Sequence, residues 1–289
     1  MIKAIFFDID GTLLDSSGHA AQSTKKALEL VNKKGILVGV ATGRGPYRLE
    51  KQIDHLEMDI YVTYNGQLVY SPKRTLFAQS FAPETLTQLM NFAEKNQRQM
   101  MFGTRYKVLG SRLLRFAQSR MAQKLFRLLP KWFPVVAFRK MVSVIKKIAR
   151  PTRFNVETIL KTPIYQVVML SPMGELARLK KEFPDCHFTR SNKLTVDIIP
   201  KGGSKILGIK KITEPFGISI SEVMVFGDSW NDLEMIQEAG IGVAMGNAPR
   251  EVQKKADYVT GSNDQDGIYQ AFVHFGLIDE PEQFLPPKI

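Results

Sequence analysis

Cysteine is almost missing from this chain of 289 residues. Cys186 stands alone, so an internal disulfide is impossible and a disulfide-stapled scaffold is excluded. No uninterrupted apolar run reaches the roughly 18 residues that a membrane span requires. Histidine is scarce, and His19, His55, His187 and His274 are scattered without ligand spacing, which argues against zinc chemistry. The start runs from Met1 into an acid-bearing apolar stretch, without the basic opening and apolar core of a signal peptide. A cytoplasmic protein is therefore expected. Acids are missing from one region: residues 105–156 hold fourteen Lys/Arg and no Asp or Glu, so the net charge of +12 is regional.

Enough apolar material remains, 44% of the residues, to build one large or two ordinary cores. Short apolar runs alternate with helical patterns at both ends. Residues 3–7, 35–40 and 60–64 read as strands, with helices near 20–33 and 46–54, and Asn65-Gly66 reads as a hairpin turn. Further strands are expected at 194–199, 222–227 and 241–245. This alternation predicts an α/β fold, a doubly wound parallel sheet covered by helices. The middle differs: a helix at 84–95, the basic region, a strand at 164–170 and a helix near 173–182, punctuated by Pro83, Pro151, Pro163 and Pro184. It predicts an inserted α+β domain over 83–188, with 1–82 and 189–289 forming the core domain.

In an open parallel sheet, ligands bind beyond the carboxyl ends of the strands. Four polar sets follow apolar strands or precede a helix there: Asp8, Asp10, Gly11 and Thr12; Thr42, Gly43 and Arg44; Lys205 in "PKGGSK"; and Gly227, Asp228, Ser229, Asn231 and Asp232. In an extended strand Asp8 and Asp10 would point the same way. At about 6 Å they would repel by roughly 3 kcal/mol at an effective dielectric near 20. Asp228 and Asp232 are spaced one helical turn apart. Converging acids call for a hard divalent cation. Mg²⁺ takes carboxylates, carbonyls, waters and a substrate phosphate. Thr42, the Gly43 amide, Lys205 and Asn231 are donors suited to phosphate oxygens. An EF-hand is excluded by Gly11 at loop position 4 and by the missing closing Glu. "GGSK" lacks the leading Gly of a P-loop.

The four sets, "DIDGT" (8–12), "ATGR" (41–44), Lys205 and "GDSWND" (227–232), resemble the haloacid dehalogenase superfamily in order and spacing. "YNGQLVY", "DIIPKGGSK" and "ADYVTGSNDQDGI" narrow the resemblance to its Cof-type branch with a class IIB cap, on a Rossmann-like core. The resemblance implies a Mg²⁺-dependent phosphatase of small phosphorylated metabolites such as a sugar phosphate, nucleotide or phosphorylated cofactor. Asp8 would be the nucleophile, forming an aspartyl-phosphate, and Asp10 the general acid/base. Asp8, Asp228, Asp10 through its carbonyl, and Asp232 or Ser229 would serve the metal. Thr42, Gly43, Arg44, Lys205, Asn231 and the Ile9 amide would hold phosphate or substrate. A phosphomutase would use the same chemistry. Trp132 and Trp230 are expected to pack.

Residues 112–133 have helical character. Leu114, Ala117, Met121, Leu125 and Leu128 lie on one face, with Arg112, Arg115, Arg120, Lys124 and Arg127 opposite. A solvated basic face is the plain expectation. Attraction of polyanionic substrates is a second. With Leu113, Phe116 and Phe126 breaking the polar side, contact with a membrane surface is a third. A nucleic-acid-binding protein would use the same basic footprint, but it would have no use for the four acidic and phosphate-binding sets.

Overall fold

The computed structural model describes residues 1–111, 155–190 and 194–279. The expected basic helix over 112–133 therefore lies outside the described residues. Two units are distinguishable. The first holds residues up to Ala78 and from Gly203 onward, and the second holds Gln79 to Gly202. Along the chain the first unit begins with strands β1 (Ala4–Phe7), β2 (Leu37–Ala41), β3 (Ile60–Thr63), β4 (Leu68–Tyr70) and β5 (Thr75–Ala78). The second supplies β6 (Met100–Gly103), β7 (Val108–Gly110), β8 (Gln166–Leu170), β9 (Cys186–Thr189) and β10 (Thr195–Pro200). The first unit is completed by β11 (Val223–Gly227), β12 (Ile241–Ala244) and β13 (Tyr258–Val259).

β1 is apolar at every position because both of its faces are covered, as parallel strands require. Ile5 and Phe7 meet α1 (Gln22–Lys33) on one face, where Phe7 stacks on Phe226 with centroids 5.0 Å apart. Ala4 and Phe6 face the opposite core, with Ile206, Ile209 and Ile212 of a later helix. The sheet order is β13-β12-β11-β1-β2-β3-β4-β5, parallel from β13 to β3 and antiparallel through β4 and β5. The chain builds outward from β1 in one direction, then returns to β1 and builds in the other. That reversal between β1 and β11 is the topological switch point.

Remaining helices follow the same logic. α2 (Leu49–Gln52) is much shorter than the expected 46–54, because Arg48, Asp54 and His55 adopt positive φ on either side of it. The second unit carries α3 (Pro83–Lys95), opened by Pro83 in its first turn, then α4 (Val156–Leu160) and α5 (Leu176–Glu182). These helices pack on one face of an antiparallel sheet of order β7-β6-β8-β10-β9, burying Leu86, Leu89, Phe102, Val167, Met169 and Ile198. The first unit then adds α6 (Lys205–Thr213), α7 (Leu233–Glu238), α8 (Arg250–Gln253) and α9 (Gly267–His274).

The domain boundary differs from the expectation at 82 and 189. β10 does not join the parallel sheet. It pairs antiparallel with β8 (Thr195↔Leu170) and β9 (Asp197↔Thr189), which moves the boundary to Gly202. An apolar run buried on both faces carries no mark of which sheet it enters. Residues 79–82 also change sides: Phe81 sits in the second core, its amide bonded to Ile164 O at 2.8 Å.

The β3–β4 hairpin turns through Tyr64, Asn65 and Gly66, all at positive φ, in a four-residue loop rather than a two-residue turn. Gly66 (φ +86) is the tightest point, since a Cβ there would lie 2.2 Å from the Ser204 carbonyl oxygen. That approach seats the start of α6, and with it Lys205, against the sheet. Gly217 also has positive φ (+67) but faces open space. Gly66→Ala is expected to cost about 1–3 kcal/mol more than Gly217→Ala, because it adds overlap to the shared backbone strain. Thermal unfolding of both variants measures the difference, and equal losses would refute the close approach.

Candidate active site

The site grows from the ends of β1, β2 and β11. The Asp8 amide still bonds to Phe226 O at 2.9 Å, but the chain then leaves the sheet in a tight turn. Leu13 N donates to Asp8 O at 3.2 Å and Leu14 N to Ile9 O at 3.0 Å. Asp8 and Asp10 therefore do not point the same way, as extended geometry would require. Asp8 is buried, and the Asp10 side chain is 64% exposed. Gly11 (φ +83) is needed inside this turn, because a Cβ there would fall 2.4 Å from Asp228 Oδ2. Thr12 Oγ1 donates to Asp228 Oδ1 at 3.0 Å and fixes that carboxylate.

Lys205 opens α6 behind its N-cap Ser204, whose Oγ accepts from Leu207 N at 3.3 Å. Its ammonium is buried and donates at 2.6 Å to both Asp8 Oδ1 and Asp232 Oδ1. Asp232 is wholly buried, and its other oxygen accepts from Asp228 N (3.1 Å), Ser229 N (3.0 Å) and Ser229 Oγ (3.2 Å). The fourth set is thus closed on itself in a 3₁₀ turn, Trp230–Asp232, with Ser229 Oγ also donating to Asn231 Oδ1. Trp230 does not pack as expected; it is 61% exposed.

Asp8, Asp228 and Asp232 each bring one carboxylate oxygen within 4.8 Å of the others. Three carboxylates face one ammonium, an imbalance of two negative charges in a mostly buried space. Burial, opposed by Lys205 and reinforced by Asp232, pushes the Asp8 carboxyl up to about 7. Burial and then Asp232 push Asp228 up to about 6. Burial opposes the Lys205 charge as well, but the Asp232 and Asp8 carboxylates outweigh it and hold the ammonium protonated. The donor set is all carboxylate oxygen, with no thiolate or imidazole, and its surplus charge is that of a divalent cation. It fits a hard ion rather than zinc or copper.

Thr42 and Gly43 lie at the end of β2. Thr42 is buried, its amide on Val62 O at 2.9 Å, and its hydroxyl accepts from Arg44 N at 3.1 Å. One expected placement, Asp10 beside Asp8, is corrected. The Asp10 side chain stands apart from the carboxylate cluster and is gripped by Arg44, whose Nε donates to Oδ2 at 2.7 Å and whose Nη2 donates to Oδ1. Arg44, expected on phosphate or substrate, has its Nη1 donating to Gln52 Oε1 at 2.7 Å as well.

Sequence reasoning missed two asparagines. Asn247 Nδ2 donates to Gly11 O at 2.8 Å, and Asn263 Nδ2 donates to Leu14 O at 2.8 Å. Asn263 N in turn donates to Asn247 Oδ1 at 3.1 Å. Together they brace the turn after β1 from the far end of the chain. Asn247 was findable, because it follows the apolar β12 as three of the four sets follow their strands. Asn263 follows the short β13 and lies within "ADYVTGSNDQDGI", where no role was assigned to it.

A family model described as haloacid dehalogenase-like hydrolase matches residues 5–272. The 5-amino-6-(5-phospho-D-ribitylamino)uracil phosphatase YcsE of Bacillus subtilis is 27% identical over 280 residues, covering 96% of each chain. BT1666 from Bacteroides thetaiotaomicron, studied among phosphatases of the haloalkanoate superfamily, has a TM-score of 0.78 at 26% identity, over 96% of each chain. BT4131, a subclass IIB sugar phosphatase, has a TM-score of 0.73 at 29% identity, over 96% of this chain and 100% of its own. With the matched span containing all four strand-end sets and the inserted α+β unit between the second and third, the chain belongs to the haloacid dehalogenase-like hydrolases, in their Cof-type branch.

Proposed function

We propose that this protein is a cytoplasmic Mg²⁺-dependent phosphatase that hydrolyses a small phosphorylated metabolite through an aspartyl-phosphate on Asp8. The observation that carries the reading is the buried Lys205 ammonium held at 2.6 Å from Asp8, beside the converging Asp228 and Asp232 carboxylates. Of the three acids, Asp232 is saturated by Lys205, two amides and a hydroxyl, and Asp228 is pinned by Thr12. Asp8 stands at the strand end with Lys205 on one oxygen, which suits it to attack phosphorus.

An Asp8 oxygen forms the new bond to phosphorus as the bond to the ester oxygen breaks, and Asp10 gives its proton to the departing oxygen. Water then attacks the phosphoryl group and passes a proton to Asp10, and Asp8 is released. Lys205, the Ile9 and Gly43 amides, Thr42 and Asn231 would hold the phosphoryl oxygens. When bound by Asp8 and Asp228, with the Asp10 carbonyl and Asp232 or Ser229 in support, Mg²⁺ supplies charge neutralisation for the transferring group. The names of the ribitylaminouracil-phosphate and sugar phosphatases support a polyol or sugar phosphate as substrate. A cytoplasmic setting accords with Cys186, buried and pushed up to about 12 by that burial, outside thiolate chemistry.

Asp8→Asn is expected to lower Mg²⁺-dependent phosphate release by more than about 10⁴-fold while the thermal unfolding transition is retained. A screen across metabolite phosphates with this variant as blank tests it, and a flat wild-type profile would end the phosphatase reading. Metal-free protein should lose stability as pH rises between about 4 and 7. A carboxyl raised to about 7 when folded binds its proton more tightly than in the unfolded chain, and that advantage disappears as pH passes 7. Mg²⁺ should therefore raise Tm more at about pH 7.5 than at about pH 5, and Asp8→Asn should flatten the contrast. A Mg²⁺ effect independent of pH would contradict the assignment of the cluster as its site.

A further inference from the structure

Arg44 offers five N–H donors, and three are engaged. Nε and Nη2 grip the two oxygens of Asp10, and Nη1 donates to Gln52 Oε1 at 2.7 Å. Gln52 is fixed in turn, because its Nε2 donates to the Tyr47 carbonyl at 3.2 Å. Turning its amide over would set a donor against Arg44 and an acceptor against Tyr47, so the orientation of Gln52 is determined at both ends. The Asp10 side chain is 64% exposed and that of Arg44 is 26% exposed. Exposed ion pairs contribute little to stability, so maintenance of the fold does not account for the arrangement. What the fork does supply is direction, since paired N–H groups fix the plane of a carboxylate. Each Asp10 oxygen keeps a second lone pair outside the fork, where a proton can be held and exchanged.

Resting on the phosphatase reading, we infer that Arg44 and Gln52 are positioning residues for Asp10. Arg44 sets the carboxylate that exchanges the proton with the ester oxygen, and Gln52 holds the guanidinium in its plane. This replaces the phosphate-binding role for Arg44. The proton moves from Asp10 to the departing oxygen as the phosphorus–oxygen bond breaks, and returns to Asp10 from the attacking water. Misdirecting Asp10 therefore matters for a leaving alkoxide, which is a strong base. It matters little for p-nitrophenolate, which departs without a proton.

The experiment compares kcat and KM for an alkyl phosphate, the best sugar phosphate from a screen, with those for p-nitrophenyl phosphate. Arg44→Ala is expected to lower kcat on the alkyl ester about 10²-fold, with KM within a few-fold, and to lower kcat on the aryl ester less than about tenfold. Arg44→Lys should not recover the loss, because an ammonium cannot form the fork. Added guanidinium at non-denaturing concentration should restore Arg44→Ala on the alkyl ester. Gln52→Leu should show the same selectivity to a smaller degree, and it carries the test if Arg44→Ala fails to fold. Equal losses on both esters would overturn the inference, as would a rise in KM on both with kcat kept, the signature of phosphate binding. Either result alongside an active wild type and an inactive Asp8→Asn would leave the phosphatase reading standing. A wild type inactive on every ester would overturn that reading and this inference together.

Discussion

One buried ammonium holds the site together. Lys205, its side chain 1% exposed, lies between Asp8 and Asp232 at 2.6 Å from each. Stripping a buried charge of its partner costs about 3–5 kcal/mol, so neither carboxylate is separable from the lysine. Through Asp232 the same contact reaches the amides of Asp228 and Ser229. Through Asp8 it reaches the turn that carries Gly11 and Thr12, and Thr12 closes the circuit on Asp228. The lysine is also insufficient. It answers one negative charge of three, and the remainder makes the cluster a place for a divalent cation rather than a neutral polar core.

The acids after β1 work in two electrical environments. Asp8 lies among buried groups, where charges interact strongly and hydration is lost. Asp10, two residues on, stands in solvent against Arg44. The turn beginning at Asp8 separates them, and Asn247 and Asn263 hold that turn from a segment more than 230 residues away. In the proposed mechanism, the nucleophile and the carboxylate that trades protons with water thus come from one short segment. The sheet supplies the frame, because β1 and β11 diverge in connection at the point where Asp8 and Asp228 emerge.

The parallel sheet was legible because runs such as "AIFF" and "VMVF" are apolar throughout, and strand-end polarity then located Asp8, Thr42 and Asp228. Lys205 was legible only with the other sets, since a lysine at a helix start is otherwise ordinary. The path of the chain after β1 was not legible. Extended geometry put Asp8 and Asp10 side by side, whereas Gly11 at φ +83 belongs to a turn that parts them. The run at 194–199 is legible as a strand but not as a member of either sheet, since its partners β8 and β9 lie earlier in the chain and pairing leaves no local trace. Gln52 and Asn263 act through contacts that only the folded chain brings about.

The position of β1 has a consequence for how the chain is made. Its partner on one side, β2, follows within about thirty residues, but β11 on the other side is not synthesised until Val223. Until then the strand destined for the centre of the sheet is an unpaired apolar edge, the kind of surface that recruits other chains. Asp8 at its end also lacks Lys205 through most of synthesis. The negative charges of Asp8 and Asp10 keep the end of that edge soluble while it waits. The residues proposed here for catalysis would thereby guard the nascent sheet before they can catalyse anything.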